Sequence, residues 1–287
     1  MNIRELQRLL RKCWMKETSA DPNGWTPENP AWGQCAVTSL VVQDLMGGEL
    51  TRASLEDVQG FKFMRSHYWN TLPDGEQKDL SKSQFPNSAY KTIPEGQTKD
   101  RETTLSYEPT RKRFAILRLA VENEINPNPL YADDIYRRCF EMAQTSDCQK
   151  MRFGCVVMFE GHEVSAAGNR SIAALKHLCE PTCIRFKIKS RTESMIGACG
   201  HAEEWTKEAV PKDIPLDECS LYVAGFQMDN TPWIKKRPEH TCLRCATQMF
   251  IAKIGKVYVP VIDRWEALTT EEALKTAIAY ALPEQAG

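Results

Sequence analysis

The sequence of 287 residues lacks the features that mark membrane and exported proteins. No apolar run approaches the roughly 20 residues that a membrane-spanning helix needs. The first residues, MNIRELQRLLRKC, alternate charges with leucines and contain no uninterrupted apolar stretch, which argues against a secretory signal. We therefore expect a cytoplasmic protein that does not contact a membrane.

An excess of charge of either sign is also missing. The 37 basic and 38 acidic residues give a formal net charge of −1. Proteins that bind nucleic acid through a general basic surface have a pI above about 9, so the composition does not favour that class. The hydrophobic fraction of 42% is ordinary for a globular protein. At about 150 residues per domain, the length indicates two domains.

Cysteine, in contrast, is abundant, with eleven residues along the chain. An odd number of cysteines without a secretory signal is poor support for a disulfide framework. Metal binding or catalysis explains the number better, although several of these thiols are expected to pack as small buried hydrophobic groups.

Local patterns predict two domains joined by a linker. Residues 1–88 show an amphipathic helix, a second helix that starts at Cys35, and strands around a turn at 73–75. Residues 89–108 are polar and contain helix breakers, so we predict a linker there. Residues 109–287 follow the order helix, hairpin, helix, strand, helix, strand, which is typical of an α/β layered domain. After Val261 the pattern predicts a final helix and no clear fifth strand.

The strongest chemical motif combines CGHAE at residues 199–203 with CLRC at residues 242–245. One histidine and two cysteines form a ligand set that suits Zn²⁺ and leaves a fourth tetrahedral position for water. Zinc lowers the pKa of a bound water toward about 7, and an adjacent glutamate that is not a ligand can move protons. The pattern H-x-E followed by C-x-x-C is the signature of zinc nucleobase deaminases.

In these motifs and in the order of predicted elements, residues 131–260 resemble the cytidine/deoxycytidylate deaminase superfamily. The resemblance implies a cytidine-deaminase-like α/β/α layered domain, with Glu203 as the proton shuttle. It also implies that His201, Cys242 and Cys245 are the zinc ligands.

The resemblance further implies contacts to the sugar or base of a substrate at Asn169 and Ala202. The alternative is a closed, structural zinc site in which Cys199 is the fourth ligand. Glu203 would have no catalytic role beside such a site. Cys179, Cys183 and Cys199 form a further candidate set for a second, structural zinc ion. Alternatively, these three cysteines are buried thiols without a metal, because no fourth ligand lies at a spacing that is typical of zinc sites.

Two basic segments are candidates for phosphate contacts. The run from Arg185 to Arg191 has period two, so in an extended conformation Arg185, Lys187 and the two later cations share one face. That face is either a phosphate-binding wall or a solvated strand edge. Trp233 and the cations at 235–237 can hold a nucleic-acid strand, or they form a solvated loop around one buried tryptophan.

The N-terminal domain has its own set of reactive residues. Cys35 opens a helix, which lowers a thiol pKa, and His67 with Asp79 supplies a candidate base and orienting carboxylate. These segments resemble the small bacterial YunG-type domain, which is similar to papain-like proteins, so a small α+β papain-like domain is expected. The resemblance covers about the first 85 residues and places the three residues in triad positions. The alternatives are an active thiol site and a non-catalytic accessory domain.

Together these patterns predict a zinc-dependent hydrolytic deaminase that acts on a cytosine-type base of a free nucleoside or nucleotide. One alternative is a deaminase that edits cytosine or adenine in DNA or RNA. Another is a thiol peptidase or deamidase that uses the N-terminal domain. The expected cofactor is one catalytic Zn²⁺, with a second structural ion as an addition, and the chain is expected to form a homo-oligomer.

Overall fold

The computed structural model describes residues 1–188, 198–237 and 241–281. The chain divides into a first unit, Met1–Pro127, and a second unit that begins at Asn128. Within the described ranges, no helix is both long enough and apolar enough to cross a bilayer. The architecture is mixed α and β, with helices and several sheets.

The first unit combines helices with a four-stranded antiparallel sheet of order β3-β2-β1-β4. Its helices are α1 (Ile3–Cys13), α2 (Cys35–Met46), α3 (Asn87–Tyr90), α4 (Arg101–Ser106) and α5 (Glu108–Ile125). Its strands are β1 (Glu49–Ser54), β2 (Ser66–Thr71), β3 (Gln77–Lys78) and β4 (Gln97–Lys99).

The first two helices form where the apolar pattern and the end signals agree. Asn2 caps α1 through its side-chain oxygen, and Leu6 and Leu10 lie on the buried face of that helix. Helix α2 starts at Cys35 and ends at Gly47, whose φ of 74° only glycine adopts without strain. Both helices match the patterns in the sequence.

The first unit is longer than the predicted residues 1–88. In the predicted linker, β4 pairs with β1, and the following helix α5 packs against α1 and α2. Phe114 and Leu117 on α5 are fully buried in this unit. We predicted a linker from the polar composition, but the polar residues here cap helices and form a strand edge. For example, the Asp100 side chain accepts from the Thr103 N–H at 2.6 Å.

The second unit contains a sheet with the main order β12-β11-β9-β5-β6, to which β10 adds by pairing with β9. Among the described strand pairs of this sheet, β11–β9 is parallel and the others are antiparallel. The strands are β5 (Arg152–Phe159), β6 (His162–Gly168), β9 (Ser220–Phe226), β10 (Pro232–Trp233), β11 (Lys256–Val261) and β12 (Arg264–Leu268), with a separate short ladder of β7 (Arg170–Ser171) and β8 (Cys199–Gly200). The helices are α6 (Asp134–Ala143), α7 (Ala202–Glu208), α8 (Leu243–Ile251) and α9 (Thr270–Ala281).

The structure corrects the prediction that no fifth strand follows Val261. Strand β12 pairs antiparallel with β11, and Leu268 lies opposite Val257 and is buried. The sequence RWEAL is short and carries charges at alternate positions, as an edge strand does. An edge strand of this kind gives a weak hydrophobic signal, which is why the pattern was not recognised.

Close packing fixes α6 on the β5–β6 hairpin. A Cβ added at Gly154 of β5 would lie 1.8 Å from the Cys139 carbonyl oxygen of α6. A Cβ at Gly168 of β6 would similarly lie 2.3 Å from the Met142 carbonyl oxygen. The hairpin therefore holds the backbone of α6 at a distance that admits only glycine at these two positions.

Candidate functional site

Two helix starts bring the predicted zinc ligands together in the second unit. His201 precedes α7, Cys242 precedes α8, and Cys245 lies in the first turn of α8. The His201 Nδ1 atom is 3.2 Å from the Cys245 sulfur and 3.3 Å from the Cys242 sulfur. The ligand atoms of all three residues lie within 4.8 Å of one another. This cluster of one nitrogen and two sulfurs can hold a metal ion such as Zn²⁺.

Without a metal, the cluster favours a Cys242 thiolate paired with a His201 imidazolium. Hydrogen bonding from Cys245 and His201 outweighs burial and lowers the pKa of Cys242 to about 4. Burial opposes the charged form of His201, but the hydrogen bond to Cys242 raises the pKa of His201 to about 9. A thiolate at the start of α8 also lies at the positive end of that helix. The site therefore provides one anionic sulfur, and binding of zinc would release the protons of His201 and Cys245.

Glu203 lies in α7 beside this cluster and is only 5% exposed. Burial raises the pKa of its carboxyl to about 7, while the charge of His201 acts in the opposite direction. A carboxyl in such an environment exchanges a proton near neutral pH, which is the property required of a general acid and base.

Glu204 is a part of the site that sequence reasoning missed. One of its carboxylate oxygens accepts from the His201 backbone N–H at 2.8 Å. The other accepts from the Arg244 guanidinium at 2.6 Å and from the Gln248 amide at 3.1 Å. Glu204 therefore ties the start of α7 to α8 and fixes the spacing of the ligands. The spacing H-x-x-E at a helix start, which forms a capping box, was the available signal.

The two residues expected to contact the sugar or base have structural partners. The Asn169 side-chain oxygen accepts from the Phe153 N–H at 2.7 Å, and its amide nitrogen donates to the Met151 carbonyl at 3.0 Å. Ala202 is fully buried in the core of the second unit. Asn169 therefore joins the end of the hairpin to the start of β5. Ala202, the first residue of α7, packs into the core of this unit.

The basic run does not have the predicted extended conformation where it is described. Residues 184–186 form a single 3₁₀ turn, and Lys187 continues with helical dihedral angles. Arg185 and Lys187 therefore do not share one face of a strand. The later cations of this run, Lys189 and Arg191, lie outside the described residues. The short 3₁₀ turn replaces the strand because no partner strand pairs with residues 184–187 in the described part of the chain.

Trp233 is engaged by neighbouring side chains. Its ring meets Phe153 edge-on, with centroids 5.7 Å apart, and the Lys235 ammonium lies 4.4 Å from its centroid. Strand β10 holds Trp233 opposite Gly225 of β9. The Lys235 ammonium thus occupies one face of the ring that a nucleobase would need for stacking.

Cys199 belongs to a group of thiols that is separate from the cluster of His201, Cys242 and Cys245. Its sulfur hydrogen bonds with those of Cys148 and Cys179, and the charge of Cys183 also acts on it. Cys148 was not predicted as part of this group. These contacts do not make Cys199 the fourth ligand of the His201 cluster.

In the first unit, the structure brings Cys35, His67 and Asp79 together. Cys35 is the first residue of α2, His67 lies on β2, and Asp79 follows β3. The His67 Nε2 atom is 2.7 Å from an Asp79 carboxylate oxygen. The Cys35 thiol hydrogen bonds to the same imidazole. This is the arrangement of a nucleophile, a base and an orienting carboxylate.

The protonation of this triad favours a thiolate paired with an imidazolium. Burial opposes both charges, but the hydrogen bond and charge of His67 lower the pKa of Cys35 below its ordinary value. Burial also opposes the charged form of His67, but hydrogen bonds to Asp79 and Cys35 raise the pKa of His67 to about 9. The Tyr68 backbone N–H also donates to the Cys35 sulfur. These contacts stabilise the reactive form of the thiol.

A cleft of about 240 Å³ lies next to the triad, with His67, Asp79 and Trp69 among its lining residues. Tyr90, which also lines it, hydrogen bonds to Asp79 and was missed by sequence reasoning. The Gln84 amide nitrogen lies 3.3 Å from His67 Nδ1. Neither residue belongs to a local motif, so only the fold shows that they support the triad.

A family model described as YunG protein matches residues 2–126 of the chain. The N-terminal region is a YunG-like domain. Over 93 residues the chain is 29% identical to the uncharacterized protein YunG of Bacillus subtilis (strain 168), and this alignment covers 32% of the chain and 71% of the relative. No solved structure matches the chain. The YunG-like domain contains the whole triad, and the family match ends before the second unit, whose resemblance to deaminases it does not support.

Proposed function

We propose that the second unit is a zinc-dependent hydrolytic deaminase that acts on a cytosine-type base of a free nucleoside or nucleotide. One observation carries the proposal: the ligand atoms of His201, Cys242 and Cys245 lie within 4.8 Å of one another, and the buried Glu203 adjoins them. A structural zinc site would need a fourth protein ligand and no buried carboxyl.

The contacts of Cys199 favour an open site over a closed one. Cys199 is the nearby cysteine that a closed site would use, and its sulfur hydrogen bonds instead with Cys148 and Cys179. The fourth position beside His201 is then available for water and substrate. The mixed α and β architecture of the second unit, with the candidate ligands at two helix starts, supports the proposed cytidine-deaminase-like domain.

The chain's own residues would divide the chemistry between them. Zinc held by the cluster would activate a water molecule as the nucleophile. Glu203 would take one proton of that water and pass it to the ring nitrogen of the base. It would then take the second proton, from the hydroxyl group added to the base, and give it to the leaving amine, so that the added oxygen stays as the carbonyl. Glu204 would keep the two ligand-bearing helix starts in register through its contacts to His201 and Arg244.

The surroundings of Trp233 support a free nucleoside or nucleotide over a base in a polynucleotide strand. A strand-binding surface needs an aromatic ring on which a base can stack. Lys235 lies against the Trp233 ring, and Phe153 meets the ring edge-on. Editing of DNA or RNA therefore remains the alternative prediction.

The test measures zinc content and ammonia release by the purified full chain. Cytidine, deoxycytidine and their monophosphates are compared with single-stranded oligonucleotides at equal cytosine concentration. We expect release from at least one small substrate, loss of turnover with retained zinc in Glu203→Gln, and loss of zinc in Cys242→Ala. Glu208→Gln is the matched control, because Glu208 is an exposed glutamate of the same helix and its loss should change neither quantity.

Full activity in Glu203→Gln would refute the assigned role of Glu203. Zinc retained at the wild-type level in both Cys242→Ala and Cys245→Ala would refute the assigned ligand set. Activity on oligonucleotides with none on any small substrate would favour the editing alternative.

A second candidate function belongs to the YunG-like domain: thiol-dependent hydrolysis of a peptide or side-chain amide. The observation that favours it is the contact series from Cys35 through His67 to Asp79, with 2.7 Å between the last two. The Cys35 thiolate would attack the amide carbonyl, and the His67 imidazolium would protonate the departing nitrogen. Water would then release the acyl group from the sulfur.

Cys35→Ala separates the two candidate activities. We expect this variant to lose any cleavage of peptide or glutamine-side-chain amides and to keep ammonia release from the cytosine substrates. An equal loss of both activities would show that the two units act in one reaction. Location in the cytoplasm and formation of a homo-oligomer stay predictions from the sequence.

A further inference from the structure

The cleft beside the triad of the first unit combines a carbon-rich wall with a carboxylate. The wall is formed by aromatic and aliphatic residues: Trp69, Tyr90, Ile93 and Pro94. Glu95 also lines the cleft and is exposed to solvent. Among the described residues that line it, none is a lysine or an arginine. The volume of about 240 Å³ is below the roughly 300–1,000 Å³ of pockets that enclose a whole small molecule, so the cleft suits one side chain of a longer substrate.

Contacts within the protein hold the Trp69 ring and the loop with Glu95 in place. The Trp69 indole N–H donates to the side-chain oxygen of Gln77 at 3.1 Å. A Cβ added at Gly96 would lie 2.5 Å from Cη2 of the Trp69 ring, so the backbone that follows Glu95 passes directly against this ring. The next residue begins β4, which pairs with β1. The ring and the carboxylate therefore line the same cleft before any ligand binds.

Two carboxylates line the cleft, and one of them is available to a ligand. Asp79 is occupied, because one of its oxygens lies 2.7 Å from His67 Nε2. Its other oxygen accepts from the backbone N–H and the hydroxyl of Ser81, at 3.0 Å and 3.1 Å. The Glu95 side chain, in contrast, forms no hydrogen bond or ion pair with the described part of the chain. Glu95 can therefore pair with a cation that a ligand brings into the cleft.

The aromatic wall adds a second attraction for a cation. The Lys82 ammonium lies 4.4 Å from the centroid of the Tyr90 ring, so that ring already holds a cation of the protein. Tryptophan is the best aromatic partner for an ammonium or guanidinium group, which leaves Trp69 as the ring for an incoming cation. Lysine and arginine side chains pack their carbon stems along apolar surface and keep the charged end at a polar group. The lining therefore suits a basic side chain, with its stem along the wall and its charged end at Glu95.

We propose that this cleft is a specificity site, which takes the cationic side chain of a lysine or arginine residue next to the amide that Cys35 attacks. The base of the triad, His67, itself lines the cleft, so a side chain bound there lies beside the reacting amide. Glu95 takes no part in the chemistry and selects the substrate by its charge. The inference rests on the second candidate function, thiol-dependent hydrolysis at Cys35, and names the substrate class of that site.

The experiment measures how fast peptidyl chloromethyl ketones alkylate Cys35 in the purified full chain. The thiolate forms a sulfur–carbon bond and the carbon–chlorine bond breaks with loss of chloride, so the measurement needs no turnover. The probes carry lysine, norleucine or glutamate at either of the two residues nearest the reacting carbon, and norleucine has the lysine stem without the ammonium. At one of these positions we expect the lysine probe to react about 3-fold to 20-fold faster than the norleucine probe, as an exposed ion pair and a cation–π contact together allow.

Two variants of Glu95 test the role of its charge. Glu95→Gln should reduce the ratio of the lysine rate to the norleucine rate about 2-fold to 5-fold, because the ion pair is lost. Glu95→Lys should reverse the preference, so that the glutamate probe reacts faster than the lysine probe. Glu56→Lys is the matched control, since Glu56 is an exposed glutamate of the same unit that does not belong to the described lining of the cleft. It should keep the wild-type ratios.

The outcomes separate this inference from the function on which it rests. Equal rates for the three probes at both positions, with iodoacetamide labelling Cys35 faster than in the denatured chain, would overturn the inference and leave the thiol function standing. Wild-type ratios in Glu95→Lys would also overturn it. A Cys35 that iodoacetamide labels no faster than in the denatured chain would refute the thiol function, and the inference with it.

Discussion

Asp79→Asn removes the carboxylate that accepts from His67 Nε2 at 2.7 Å, while keeping the size of the side chain. Hydrogen bonding to Asp79 is the larger of the two favourable contacts that raise the pKa of His67 to about 9 against the effect of burial. Without this contact, the imidazolium becomes less stable. The Cys35 thiolate is stabilised by that imidazolium, so we expect its pKa to rise in the variant.

The size of the effect follows from the fraction of thiolate. An unperturbed thiol with a pKa near 8.5 is about 3% ionised at pH 7, so complete ionisation of Cys35 increases its thiolate about thirty-fold. We therefore expect Asp79→Asn to slow the reaction of Cys35 with iodoacetamide at pH 7 by about 3-fold to 30-fold. The pairing should weaken as the pH rises through about 9, where His67 loses its proton.

The measurement is the rate of Cys35 alkylation from pH 5 to pH 10, followed by peptide mass spectrometry. Cys13 serves as an internal reference in the same unit, because burial raises its pKa to about 12 and it should stay unreactive at pH 7. Asp57→Asn, at an exposed aspartate of the same unit, should leave the profile unchanged. An Asp79→Asn profile that overlays the wild type, or a Cys35 that reacts at pH 7 no faster than in the denatured chain, would refute the reasoning.

Three further predictions concern stability and metal binding. Arg118→Ala leaves the Glu122 carboxylate, now 2.8 Å from the guanidinium, buried without that partner, and urea denaturation should show a loss of about 3–5 kcal/mol. Gly154→Ala puts a Cβ 1.8 Å from the Cys139 carbonyl oxygen and should cost about 3 kcal/mol by the same measurement. Glu204→Gln removes the charge that joins the two ligand-bearing helices, and competition with a chelator should show zinc affinity reduced about 10-fold to 100-fold. Wild-type values in these variants would contradict the corresponding contacts.

The elements that the sequence predicted well have strong local signals. Helices α1 and α2 combine an apolar stripe with a capping residue or a terminal glycine, so their bounds agree closely with the pattern. Strand β12 was missed because an edge strand gives a weak hydrophobic signal, and β1 was missed because its residues do not alternate between buried and exposed positions. The residues of β1, ELTRAS, become a strand through antiparallel contacts with β2 and β4.

In the candidate sites too, residues in short motifs could be predicted from the sequence, whereas residues placed by contacts with distant segments could not. The cluster of His201, Cys242 and Cys245 could be predicted because short motifs place these potential metal ligands at helix starts. The position of Cys148 was not predictable, because it depends on hydrogen bonds that Asp147 and Gln149 accept from the distant residues Ser171 and Cys183. The prediction of an extended basic face from Arg185 onward was wrong for a related reason. A period-two pattern indicates a strand only where a partner strand stabilises the extended backbone.

The short β7–β8 ladder has a consequence for how this protein can be altered. It pairs Arg170 with Gly200 and Ser171 with Cys199, so the chain between the two strands leaves and returns at neighbouring points. The entropy of closing such an excursion changes by only about 0.6 kcal/mol for each doubling of its length. Sequence can therefore be lengthened, shortened or exchanged between Ser171 and Cys199, at positions other than the buried Cys179 and Cys183, while the entry into α7 keeps its position.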